Sequence, residues 1–211
     1  MTPSEIYDKI KQYTEGCETI ICDLHSACSP TKGKTYICTS QGSKTQVIDF
    51  DTIKTEADKA LNIESKNSVD ALTKSPSGNY LCLVELKSWN LVLSYNGTEN
   101  SIRKQAKKYK SNLPQKLTDS ISICKQICKD KSVFDNCRII FILLSDISVE
   151  EDGLSYFNSN LTALAGSSSN LNLLCNQLSA DIMNGIPNVE TRVTILFSAT
   201  TILSAVFQPI K

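Results

Sequence analysis

Only one histidine, His25, stands in 211 residues. That scarcity makes a nuclease or hydrolase built on histidine chemistry implausible. Also missing are the phosphate-cradling loop of nucleotide-binding enzymes, a dinucleotide-binding fingerprint and a Gly-x-Ser-x-Gly nucleophile elbow. Long apolar runs are lacking too. The most apolar window, "VTILFSATTILSAVF" (193–207), falls short of the roughly 20 residues a spanning helix needs, and reads as a buried strand followed by packed chain. The opening "MTPSEIYDKIKQY" is polar and amphipathic, unlike an export signal. A soluble, cytoplasmic protein without a membrane partner is the expectation.

Net charge is absent as well, with 22 basic and 22 acidic residues. The balance conceals a segregation. From Asn100 to Lys131 nine Lys or Arg face only Asp119 and Asp130, while Ile139 to Glu190 holds six acids and no base. A basic segment beside an acidic one suits a polyanion-binding face, and a solvated helix surface gives the same pattern. The acidic C-terminal third could also dock a protein partner.

Cysteine, by contrast, is plentiful. The nine thiols are odd in number, and Cys38, Cys82 and Cys175 sit inside apolar runs, where free Cys behaves as a small hydrophobe. A disulfide scaffold would be shorter and exported, so a reducing compartment is predicted. Cys17, Cys22, His25 and Cys28 are four soft ligands in one stretch, but their spacing matches no common structural zinc pattern.

Periodicity predicts one domain over 1–211, in three parts: an N-terminal helix, Cys-rich segment and hairpin (1–50), a core (51–146), and a C-terminal helix and strand extension (147–211). A short helix is expected over 3–14, with Ile6, Ile10 and Tyr13 on one stripe. A turn-rich segment then leads to a hairpin of 35–40 with 45–50. Asp51 or Thr52 is expected to cap a helix over 53–63. A second hairpin spans 68–89. The helical stretch 101–131 should be broken in two by Pro114, which deletes a hydrogen bond and clashes with the preceding turn. "CRIIFILLSD" (137–146) is apolar on both faces and belongs in the middle of a covered sheet. "GSSSN" (166–170) reads as a connector, 171–183 as an amphipathic helix and 191–199 as a last strand. Alternating helices and buried strands give an α/β fold with a mixed central sheet flanked by helices.

The second hairpin carries the chemistry. With its turn centred between Ser77 and Gly78, paired residue numbers sum to 155, placing Asp70 opposite Glu85. Opposed residues share a face, with Cβ atoms about 4.5–5.5 Å apart. Two carboxylates that close repel unless a cation sits between them. Strand alternation puts Lys87 on the same face. Hard oxygen donors suit Mg²⁺ (or Mn²⁺), which leaves positions for water and a substrate phosphate. Bound there, the ion lowers the pKa of a water and stabilises charge on the phosphate. Lys87 would orient or help deprotonate that water, or stabilise the developing charge, a role in which Arg could not act as base. The plainer reading makes the three residues the polar trim of an edge hairpin. Against it, "YLCLVEL" is apolar on both sides, and charges at the end of a doubly covered strand are rarely idle.

Asp70, then fourteen residues, then Glu85-Leu86-Lys87 resembles the PD-(D/E)xK nuclease superfamily, with its restriction-endonuclease-like fold. Val69 stands at the freely variable proline position. The resemblance covers about residues 50–146 and includes the helix and buried strand that follow the ExK strand. It implies catalysis by Asp70, Glu85 and Lys87, and metal binding by Asp70, Glu85, Leu86 and a helix acid. Glu56 is the natural candidate for that acid, though only thirteen residues separate it from Asp70; Glu5, Glu15 and Glu18 are alternatives. "QAKKY" (105–109) resembles the Q-x-x-x-Y element of RecB-like members, implying DNA contacts through Gln105 and Tyr109. Lys104, Lys107, Lys108 and Lys110 could meet phosphates around it. Two functions follow: a divalent-metal-dependent nuclease, acting on DNA more than RNA, or a non-catalytic immunity or regulatory protein on a degenerate nuclease-like fold.

Overall fold

The computed structural model describes residues 1–13, 21–23, 46–61, 67–87, 99–145 and 189–195, of which 21–23, 87, 99–111, 143–145 and 189–195 are described in backbone alone. The expected hairpin strand at 35–40, the connector 166–170 and the helix 171–183 lie outside the described residues.

Helix α1 (Pro3–Tyr13) starts where the sequence supplies a reciprocal cap. The Thr2 N–H donates to Glu5 Oε2 (2.7 Å) and the Glu5 N–H to Thr2 Oγ1 (3.3 Å), with Pro3 in the first turn, where it needs no donor. Hydrogen bonds to the carboxyl from the Thr2 backbone first, and from its hydroxyl, hold Glu5 below the ordinary carboxylate range. Ile6 and Ile10 are fully buried, each contributing about 1.5–3 kcal/mol.

Strand β1 (Ile21–Asp23) lies in the turn-rich segment, where no strand was expected, since three residues are too few to show a period. It pairs antiparallel with β2 (Gln46–Asp49). Helix α2 (Phe50–Leu61) follows β2 without a gap. Its cap is therefore Asp49, the strand's last residue, and neither Asp51 nor Thr52: Asp49 Oδ1 accepts the N–H groups of Asp51 (3.1 Å) and Thr52 (3.3 Å). Starting three residues early, α2 buries Phe50, Ile53 and Ala57.

Strands β3 (Ala71–Lys74) and β4 (Leu81–Lys87) form the predicted hairpin. All four of its pairs, from Ala71↔Val84 to Lys74↔Leu81, sum to 155. The turn is closed by Ser75 N–H to Tyr80 O (3.0 Å) and Gly78 N–H to Ser75 O (2.8 Å).

Helix α3 (Glu99–Cys128) runs unbroken through Pro114. A proline within a helix costs about 3 kcal/mol. Leu113 and Leu117 on either side are both buried, and two such side chains contribute about 3–6 kcal/mol, so packing outweighs the lost bond. The helix ends in a Schellman turn, with Lys129 at φ 53° and Asp130 N–H bonded to Lys125 O (3.2 Å).

Strand β5 (Ile139–Ser145) lies parallel to β4, and β6 (Val189–Ile195) parallel to β5. Among the described residues the sheet has six strands in sequence order, antiparallel from β1 to β4 and parallel from β4 to β6; β2 lies between β1 and β3, and not in the expected hairpin with 35–40. Ile48, Leu72, Leu81, Leu83, Ile139 and Phe141 join Ile6, Ile10, Ile53, Leu113 and Leu117 of the helices in one core. Cys82, Val84, Leu86, Ile140 and Ile142 alternate with them and are buried too, so β4 and β5 are covered on both faces, as their composition predicted. Burial pushes the Cys82 thiol up to about 12, leaving it a protonated hydrophobe. No helix among the described residues is long and apolar enough to cross a membrane.

Candidate functional site

Glu85 falls in phase with Leu81 and Leu83, and so faces the helices. There its carboxylate is 0% exposed, a position where a charge persists only with a partner. The partner is Lys116 of α3, whose Nζ donates to Glu85 Oε1 at 2.7 Å. The same ammonium lies 3.8 Å from Asp70 Oδ1. The two predicted acids thus converge on one cationic nitrogen.

Asp70 reaches this point through a departure from the expected pairing. Its N–H donates to Val84 O (3.0 Å), although Val84 is already the partner of Ala71. Two successive residues therefore oppose one, the arrangement of a β-bulge, and such bulges re-aim side chains. The next rung is made by the side chain, with Leu86 N–H donating to Asp70 Oδ2 at 2.6 Å. Asp70 is not simply opposite Glu85, since a flat ladder would leave its carboxylate without this backbone donor.

The approach to Asp70 is fixed along α3 and α2. Asn67 N–H donates to Asp119 Oδ2 (3.0 Å) and Val69 N–H to buried Ser120 Oγ (3.0 Å). Ser68 Oγ donates to Asp51, and Phe50 N–H to Asp70 O (3.1 Å). The bonds at Ser68 and Val69, both buried, satisfy groups that burial would otherwise penalise. Asp70 and Lys116 are consequently held by the same stretch of α3.

The other predicted residues are placed as follows. Lys87 ends β4 in register with Ser145 of β5, and its side chain lies outside the described residues. Glu56, on α2, pairs with Lys59 at 2.8 Å. Glu5 is engaged in capping α1, and Glu15 and Glu18 lie outside the described residues. Gln105, Tyr109, Lys104, Lys107, Lys108 and Lys110 fall on the first half of α3, described in backbone alone. The Cys17, Cys22, His25 and Cys28 side chains also lie outside the description. Among the described residues no three His, Cys, Asp or Glu side chains gather to hold a metal.

Sequence reasoning missed Lys116. Its signal was available in the spacing of α3. Leu113, Leu117, Ile121, Cys124 and Cys128 form the buried stripe, and Lys116 and Ser120 sit within it at i+3 and i+7 from Leu113. Polar residues inside an apolar stripe need buried partners.

No protein-family model, curated protein or solved structure matches the chain.

Proposed function

We propose that the protein is a divalent-metal-dependent nuclease with a restriction-endonuclease-like sheet, cutting DNA in preference to RNA. The observation that carries this reading is the convergence of Asp70 and Glu85 on a single cation position at the carboxyl end of β4. The location favours it too, because β4 and β5 are parallel there and ligands of α/β sheets gather at such strand ends. The order hairpin, long helix, parallel strand is the order the resemblance implies.

The donors suit the ion: two carboxylates are the usual protein share of a Mg²⁺ or Mn²⁺ shell. Asp70 and Glu85 would hold it, with the backbone at Leu86 beside them. Bound there, it would supply Lewis acidity towards a phosphate oxygen and a more acidic water. Lys87 would take a proton from the attacking water or hold it in line. The basic first half of α3, with Lys104, Gln105, Lys107, Lys108 and Tyr109, would bind the phosphate backbone.

The test is cleavage of linear, circular and single-stranded DNA, and of RNA, in Mg²⁺ or Mn²⁺. Wild-type protein is expected to cut DNA, and Lys87→Ala and Asp70→Asn to abolish cutting. Activity retained in Lys87→Ala, or none in wild type with either ion, overturns the reading. The Lys116 contact favours a second reading, a non-catalytic interaction or regulatory protein whose acids are neutralised from within. Wild-type protein inert in both ions would support it.

A further inference from the structure

We infer that Lys116 is the site's own exchangeable cation, occupying the position between Asp70 and Glu85 that a divalent ion takes, so that metal enters by displacing it. This inference rests on the metal-binding part of the proposed function and names the residue that regulates it.

Three observations carry it. First, one ammonium contacts both carboxylates, at 2.7 Å and 3.8 Å, and a second cation held by the same oxygens would meet it at close range. Like charges a few ångströms apart in a part-buried site repel by on the order of several kcal/mol. Second, the two ends of the contact differ in freedom. Glu85 is 0% exposed, whereas Lys116 is 23% exposed and carries its charge on a flexible four-carbon stem, able to turn its head to water. Third, the backbone under Lys116 stays in place when its head leaves, because Asp119 and Ser120 on the next turn hold Asn67 and Val69. Leaving therefore requires only side-chain rotation.

Charge favours the exchange. Two carboxylates and one ammonium leave the site at −1, whereas two carboxylates and a divalent ion leave it neutral. Lys116 thus keeps Glu85 neutralised when metal is scarce, and sets the concentration at which metal binds.

The experiment titrates the full chain with MnCl₂ and MgCl₂ by calorimetry, and measures melting with and without metal. Removing the charge in Lys116→Gln should tighten Mn²⁺ binding by about tenfold or more, since the repulsion is gone. Metal should also raise the melting temperature of Lys116→Gln more than that of wild type. Lys116→Arg, which keeps the charge, should bind no tighter than wild type. Lys116→Gln binding no tighter than wild type, or no metal binding by either protein, overturns the inference. If Lys116→Gln is unfolded without metal, circular dichroism takes over. Folding on addition of Mn²⁺, but not of NaCl at equal ionic strength, supports the exchange, and no folding at any Mn²⁺ concentration overturns it. The two proposals fail separately. Wild-type protein that binds metal without cutting nucleic acid sinks the nuclease alone. Cleavage by wild type with unchanged affinity in Lys116→Gln sinks the exchange alone.

Discussion

The β3–β4 hairpin is held in two different ways at its two ends. Its turn is fastened mainly by short neutral groups, Ser75 bonding to Tyr80 and Gly78 and Ser4 of α1 lying against Gly78, with one charged group added, the Arg138 guanidinium over the Tyr80 ring at 4.3 Å. Its open end is fastened by charge, with Asp70 and Glu85 drawn onto Lys116 and Asp70 accepting the Leu86 N–H. Local turn chemistry can close the first end unaided. The second is closed only when α3 docks and brings in Lys116, 31 residues from Glu85, and that dependence is what a binding site needs: groups kept together against their own repulsion.

The comparison breaks most sharply at Lys116. Lys116→Ala leaves Glu85 buried with its ammonium removed, and breaking one side of a buried ion pair costs about 3–5 kcal/mol. Glu85→Ala should cost less, because Lys116 can turn to water. Urea denaturation of the two variants checks the order. Equal losses, or a loss under roughly 1 kcal/mol for Lys116→Ala, would mean that Glu85 is neutralised in another way.

The next largest effect belongs to the turn. Gly78 has φ +72°, and a Cβ there would meet Ser4 Oγ at 2.6 Å. Gly78→Ala should cost about 1–2 kcal/mol from the left-handed backbone, plus the movement of Ser4. Adding Ser4→Ala, which removes the clashing hydroxyl without weakening α1, should recover the second part and leave the first, measured as melting temperatures of the single and double variants.

Between the ends lies Ser120, whose hydroxyl accepts the buried Val69 N–H. Ser120→Ala removes the acceptor and should cost about 1–3 kcal/mol. Hydrogen exchange at Val69 should quicken, while the turn amide of Gly78 keeps its protection. Loss of protection at both would show that the ends are one cooperative unit.

How much of this was legible in the sequence follows the same division. The hairpin register could be read because Pro76-Ser77-Gly78-Asn79 fixes a turn, and a fixed turn fixes every pair up to Ala71↔Val84. The meeting of Asp70 with Glu85 followed. The bulge at Asp70 did not, since there the backbone is engaged from both sides at once, its N–H donating to Val84 O of β4 and its carbonyl accepting the Phe50 N–H of α2. The Pro114 break was misjudged for a related reason: propensity is local, while Leu113 and Leu117 act through the core. The place of Lys116 in the apolar stripe of α3 could have been read, but its partner could not, because helix–sheet docking is set by tertiary packing and sequence distance from Glu85 predicts nothing. Asp49 escaped notice as a cap because it serves strand and helix at once.

The smallest effect concerns a second lysine, and it sharpens the contrast between the ends. Lys74, beside the turn, pairs with Asp8 at 3.3 Å and lies 5.0 Å from the centre of the Tyr7 ring. By distance this is an ion pair comparable with Lys116–Glu85. Yet Lys74 is 34% and Asp8 57% exposed, so water screens the pair and hydrates either charge if the other is removed. Lys74→Ala should therefore cost about 0.2–1 kcal/mol, several-fold less than Lys116→Ala, and the loss should shrink further in high salt. Denaturation midpoints at low and high NaCl measure it. A salt-insensitive loss approaching that of Lys116→Ala would mean that the turn, too, is held by charge, and that burial does not distinguish the two ends of the hairpin.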